Sequence, residues 1–151
     1  MGVVHAINVS NGGVPKLPRE SCFVGVNGLE GDRQRDLRYH GGPERAVCLY
    51  SLDLIRALQA EGHSIEPGSI GENLTVTDVD WARMVPGTQV EVGAVVLQLT
   101  DYAAPCSNIA RSFERRQYAR VNQKVHAGWS RLYARVLTEG TLRVGDALRI
   151  A

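Results

Sequence analysis

Residues 86–100, PGTQVEVGAVVLQLT, decide the fold. A Pro–Gly pair opens the stretch and Gly93 divides it. On either side of that glycine lie two valine-rich, strand-like runs, Gln89 to Val92 and Ala94 to Thr100. The same grammar extends outward. Val3 to Val9 reads as a first strand closed by Asn11-Gly12-Gly13, Ala46 to Tyr50 as a buried strand, and Leu74 to Val76 as a short one. The tail, Leu132 to Leu137 and then Leu142 to Ile150, reads as two strands joined at Glu139-Gly140. Only two segments look helical. Ser51 caps one that carries Leu52, Leu54, Ile55 and Leu58 and ends near Gly62; the other runs from Asn108 to about Arg116. Short strands, sixteen glycines and few helices predict a mainly β fold, a closed or nearly closed β-barrel, as a single domain over residues 1–151.

The 151 residues suffice for one hydrophobic core, and 44% apolar with 22% charged residues argues against disorder. A net charge of +1 provides no global field for nucleic acid or anionic lipid, and neither nucleic acid nor a membrane is expected as a partner. Fifteen of the seventeen cations are arginine, the better fork for carboxylate and phosphate. The N-terminal MGVVHAINVSNGG lacks a basic segment ahead of a long apolar run, so a cytoplasmic setting is expected. GVNGLEG, residues 25–31, has the wrong glycine spacing for a dinucleotide loop, and there is no phosphate-binding GxxxxGK[ST] loop.

Cys22, Cys48 and Cys106 form neither a CxxC pair nor a disulfide framework. His5, His40, His63 and His126 have no zinc-site spacing. Cys48 lies within an apolar run and reads as core, while Cys22 falls in an expected loop. Cys106 follows Pro105 at the start of the second expected helix, where free N–H groups and the helix dipole would favour thiolate, the form that attacks sulfur or binds a soft metal. The alternative is a small residue plugging a strand–helix corner.

Residues 31–47, GDRQRDLRYHGGPERAV, gather hydrogen-bonding side chains around a glycine pair. If Asp32 to Arg38 is extended, Asp32, Gln34 and Asp36 share one face. The amides of Gly41 and Gly42 could approach a phosphate closely, and Arg45 could complete an anion site. A solvated loop of surface ion pairs is the plainer alternative for any one of these charges, but the cluster as a whole reads as a ligand site. Farther on, Glu72-Asn73 stands between Gly71 and Leu74, placed either to face a cleft or to form a turn.

In order along the chain, GLEGDRQRDLRYHGGPERAVCLYS, PGSIGENLTV, YAAPCSNI and GWSRLYARVLTEGTLRVGDALRI resemble the MOSC domain (molybdenum cofactor sulfurase C-terminal domain) of the short stand-alone bacterial type. The resemblance implies a pyruvate-kinase-barrel-like domain that holds the molybdenum cofactor (molybdopterin) or carries sulfur on its cysteine. Cys106 would be the metal ligand or persulfide site. Asp32, Gln34, Asp36, His40, Gly41, Gly42 and Arg45 would line the cofactor with Glu72 and Asn73. A cysteine desulfurase or an electron-transfer protein would be the partner. Fused members follow a desulfurase that uses pyridoxal phosphate; this chain has no such segment and no evident lysine for that cofactor. Redox members place an Arg shortly before the cysteine, where this chain has Tyr102-Ala103-Ala104-Pro105. The alternatives are a molybdenum-dependent reductase of N-hydroxylated bases fed by an external electron donor, and a non-catalytic barrel that binds a small ligand.

Overall fold

Eleven strands and one α-helix run through residues 1–33 and 42–151, which the computed structural model describes. In chain order they are β1 (Gly2–Val9), β2 (Leu17–Arg19), β3 (Ser21–Gly25), β4 (Gly28–Leu29), β5 (Val47–Ser51), α1 (Leu52–Ala60), β6 (Leu74–Thr77), β7 (Gln89–Val92), β8 (Val95–Ala103), β9 (Arg131–Thr138), β10 (Gly140–Arg143) and β11 (Ala147–Ile150). The hairpin that decided the fold forms as expected: β7 pairs antiparallel with β8, and Gly93 takes the left-handed φ of 55° that its turn needs.

Hydrogen bonding follows the order β11-β7-β8-β9-β5-β6-β1, and β1 pairs back onto β11, so these strands close a barrel. Closure removes the exposed sheet edges that would otherwise template association. β2 hangs on β1 as a short branch, and β10, β3 and β4 form a second small sheet. Every barrel pairing is antiparallel except β5 with β6, which α1 and the loop after it connect.

Side-chain alternation along the strands divides the interior in two. Val47 and Leu49 of β5 join Leu132 and Ala134 of β9 in the barrel core, with Val4, Ile7, Leu74, Val90 and Leu97. Cys48 and Tyr50 belong to clusters on the outer face of the same wall. Cys48 meets Ala103 and Tyr133, and Tyr50 meets Ile55, Leu58, Ile70, Ile109 and Phe113. The outer layer thus covers one side of the barrel with α1 and the segment after β8.

The Ser51 cap is present, its hydroxyl accepting from the Leu54 amide at 3.2 Å, and Leu52, Ile55 and Leu58 are buried. The second expected helix is instead three 3₁₀ turns, Ser107–Ser112, Glu114–Arg116 and Tyr118–Val121. Arg115 and Arg116 adopt φ of 53° and 58°, left-handed values that no α-helix can pass through. β8 runs to Ala103, beyond its expected end, because a bulge after Leu99 lets Asp101, Tyr102 and Ala103 keep pairing with β9. Cys22, expected in a loop, lies buried in β3 with its thiol donating to the Glu30 carbonyl at 3.2 Å.

Candidate functional site

A pocket of about 60 Å³ opens on the outer face of the barrel wall. Cys48 enters it from β5, Arg131 and Tyr133 from β9, and Cys106, Asn108 and Ile109 from the segment after β8. The remaining walls come from Val14 and Lys16, in the loop after β1, and from Ile70 before β6. Strand geometry explains the grouping. Cys48 pairs directly with Tyr133, and Arg131 stands two residues before it on the same face of β9.

Four contacts hold the segment after Cys106 in place. The Glu114 amide donates to His63 Nδ1 at 3.0 Å, and the Arg120 guanidinium forks onto Glu61 at 2.8–2.9 Å. Arg120 also stacks 4.0 Å from the Trp129 ring centre, while the Tyr50 hydroxyl donates to the Trp129 carbonyl at 2.7 Å. Cys106 itself has extended backbone and precedes a 3₁₀ turn of six residues, in place of the longer helix whose dipole was expected to act on the thiol. Its neighbours in the pocket are the cations of Lys16 and Arg131.

Lys16 is one of only two lysines, and it is buried. Its ammonium meets Asp32 Oδ1 at 2.6 Å, with the two side chains 3% and 4% exposed. The carboxylate also accepts from the Ser10 amide at 3.0 Å and from Asn73 Nδ2 at 2.9 Å. Asn73 in turn accepts from the Cys48 amide at 3.0 Å, which ties the pair to β5. The loop can dock because Gly68, at φ 83°, accepts from the Lys16 amide at 2.9 Å; a Cβ there would sit 2.4 Å from the Lys16 carbonyl oxygen.

Glu72 is fully buried beside this network, accepting from the Thr75 hydroxyl at 2.9 Å. Burial raises its carboxyl pKa to about 7, against the opposing pull of the Gly68 and Glu72 amides, Thr75 and Arg131. Burial likewise lifts the Cys48 thiol to about 11, so it stays protonated. The Tyr133 hydroxyl is raised as well, first by burial and then by Cys48.

Among the expected site residues, Cys106 lines the pocket directly. Asp32, Asn73 and Glu72 lie behind it in the polar network. Arg45 follows Gly42 and Pro43 in a 3₁₀ turn and stands 5.6 Å from the centre of the Tyr133 ring, one side chain removed from the pocket. Gly42 is exposed, with nothing within 4 Å of where a Cβ would lie. Gln34, Asp36, His40 and Gly41 fall outside the described residues. Lys16, Asn108, Arg131 and Tyr133 were not singled out from sequence. No group of three or more His, Cys, Asp or Glu among the described residues is arranged to hold a metal ion, and no described helix is long and apolar enough to cross a membrane.

Accessibility separates the thiols. Cys106 is half-buried, whereas Cys22 and Cys48 are 6% and 4% exposed. In the native protein, iodoacetamide should label Cys106 first, with Cys48 and Cys22 modified only on unfolding. Peptide mapping of the alkylated protein checks this, and equal native labelling of Cys48 and Cys106 would contradict the pocket geometry.

The chain is 29% identical over 140 residues to YflK of Bacillus subtilis and 28% identical over 107 residues to YiiM of Escherichia coli. These alignments cover 91% and 68% of the chain but only 62% and 48% of the relatives, so it spans half to three-fifths of their length. The crystal structure of YiiM from Geobacillus stearothermophilus superposes with a TM-score of 0.74 at 22% identity, over 100% of this chain and 75% of that one. The E. coli YiiM structure gives 0.73 at 19% identity, over 99% of this chain and 69% of that one. The MOSC domain model matches residues 36–149, and the chain belongs to the MOSC domain family.

Proposed function

We propose that this MOSC protein binds a molybdenum–pterin cofactor or a sulfur-bearing intermediate, with Cys106 as the group that bonds to metal or sulfur. The observation that carries the reading is the meeting of an accessible thiol with two buried cations, Lys16 and Arg131, in one pocket. A thiolate is a soft ligand suited to such a metal and a nucleophile suited to sulfur.

The residues suit the reacting end of the cofactor. Cys106 would supply the donor, and a metal arriving within a pterin brings its other ligands with it, which suits a single thiol with no metal-holding cluster among the described residues. Arg131 and Lys16 would face anionic atoms, and Asn108 and Tyr133 would offer polar contacts. Arg45, 5.6 Å from the centre of the Tyr133 ring, would be the residue to hold a phosphate. When bound, such a group supplies redox chemistry at the metal. The protein's part is to hold the thiol, exclude water with Val14, Ile70 and Ile109, and keep Cys48 protonated beside it.

The pocket volume favours a second reading. Whole-ligand pockets run to roughly 300–1,000 Å³, whereas this open one offers about 60 Å³ at the thiol. That suits a persulfide on Cys106, with sulfur drawn from a cysteine desulfurase; a metal-bound form would draw electrons from an electron-transfer protein.

Molybdenum and pterin analysis of protein purified from a molybdenum-replete host tests the first reading. Wild type should carry both, Cys106→Ser should lose the metal, and Arg45→Ala should lower pterin content about tenfold if it holds the phosphate. Metal content unchanged in Cys106→Ser would refute the ligand role, and pterin content unchanged in Arg45→Ala would make Arg45 structural.

A further inference from the structure

We infer that the pocket accepts a small sulfur oxyanion, thiosulfate in chemical type, that Arg131 holds its oxygens, and that Cys106 takes its outer sulfur. This rests on the proposed sulfur-carrying role of Cys106 and names a donor for it.

Arg131 is the anomaly that leads there. It is only 5% exposed. Among the described residues no carboxylate is in contact with it, and buried Glu72 is an acid that feels its charge from farther off. Its Nη1 donates to the Ile70 carbonyl at 2.8 Å, and Nη2 reaches the Ala103 and Ala104 carbonyls at 3.4 Å each. Its Nε is buried without any hydrogen-bond partner. Neutral carbonyls fix the position of the guanidinium without cancelling its charge, and a buried cation with no carboxylate in contact favours an arriving anion. Lys16, the other cation of the pocket, is already matched by Asp32 at 2.6 Å, whereas Arg131 has no such contact among the described residues. The carbonyls that hold it belong to the residues leading into Pro105-Cys106, which places cation and thiol on the same rim.

Size and lining narrow the anion. A water-sized group needs roughly 10–15 Å³ of such space, so about 60 Å³ has room for a group of a few heavy atoms. Thiosulfate has that size: a central sulfur, three oxygens and one outer sulfur. The lining combines polar groups for the oxygens, from Arg131, Asn108 and Tyr133, with apolar ones for sulfur, from Val14, Ile70 and Ile109.

The step balances without any further reagent. The Cys106 thiolate attacks the outer sulfur and forms a new S–S bond. The bond from that sulfur to the central sulfur breaks, and sulfite departs with the electron pair. Cys106 is left as a persulfide for transfer to an acceptor thiol, and the charge on sulfite remains beside Arg131 until it leaves.

Full-length protein incubated with thiosulfate, then read by intact mass and by released sulfite, tests the inference. Inorganic polysulfide serves as a sulfur donor that has no oxygens to recognise. Wild type should gain one sulfur on Cys106 from either donor, with one sulfite released per sulfur gained from thiosulfate. Arg131→Gln should load about tenfold more slowly from thiosulfate and normally from polysulfide. Equal thiosulfate loading of Arg131→Gln and wild type would overturn the inference. Polysulfide loading of wild type without thiosulfate loading would also overturn it, while leaving Cys106 a sulfur carrier. Failure of both donors would remove the carrier reading itself. Should Arg131→Gln not fold, sulfate competition on wild type asks the same question. Sulfate should slow loading from thiosulfate but not from polysulfide, and no slowing would contradict the role of Arg131.

Discussion

Asp32→Ala should lower stability by about 3–5 kcal/mol, the usual cost of stranding one member of a buried ion pair. For a domain of this size that is roughly 6–20 °C in melting temperature. The expectation follows from geometry. Asp32 and Lys16 are 4% and 3% exposed, and the carboxylate also takes hydrogen bonds from the Ser10 amide and Asn73. Its removal leaves a buried ammonium without a counter-charge and frees the Asn73 link to β5. Asp32→Asn should fall short of this loss because it retains acceptor capacity. Thermal unfolding followed by circular dichroism measures both. A shift of only a degree or two in Asp32→Ala would mean that the pair is effectively a solvated one.

Glu72→Gln should change how stability responds to pH. In the folded chain the Glu72 carboxyl titrates at about 7, against an ordinary value of 4.5, because burial penalises its charged form. Between those values the folded state retains a proton that the unfolded state has released. Stability therefore falls as pH rises through that window, by about 3 kcal/mol in total. Below about pH 4.5 the carboxyl is protonated in both states and the penalty vanishes. The Gln variant has no such proton and still offers an oxygen to the Thr75 hydroxyl. Its stability relative to wild type should therefore rise from about pH 4.5 to about pH 8. Urea unfolding at the two ends of that range measures the difference, and a constant difference would show that Glu72 is not buried as a titrating acid.

Local sequence patterns carried the barrel well where they were enough. The Pro86-Gly87 and Gly93 punctuation, the Ser51 cap and the apolar spacing of α1 each act within a few residues. Pairings that depend on distant partners were hidden. β3 and β4 are short and lean on β10, and β8 reaches Ala103 only because β9 lies alongside it. The left-handed pair Arg115-Arg116 has no local signature at all, since neither residue is glycine.

The site divided along the same line. Cys106 was legible from its Pro–Cys–Ser–Asn context, and it lines the pocket. Lys16 and Arg131 were not, because only closure of the barrel brings residues 16, 48, 106 and 131 to one rim. The expected strand, Leu132 to Leu137, held Tyr133 but stopped one residue short of Arg131, which shares its face in the observed Arg131–Thr138. The residues just before Cys106 include no arginine, and the cation beside the thiol's pocket comes from β9. Glu72 and Asn73 sit in an internal polar network whose partners, Asn8, Asp32 and Thr75, are spread over 68 positions of sequence.

The central claim is that Cys106 is the atom to which metal or sulfur attaches, and native mass spectrometry of protein from a molybdenum-replete host tests it most directly. Wild type and Cys48→Ser should both show an added mass, equal either to a molybdenum–pterin group or to one sulfur atom, and Cys106→Ser should show neither. The same adduct persisting on Cys106→Ser would contradict the account.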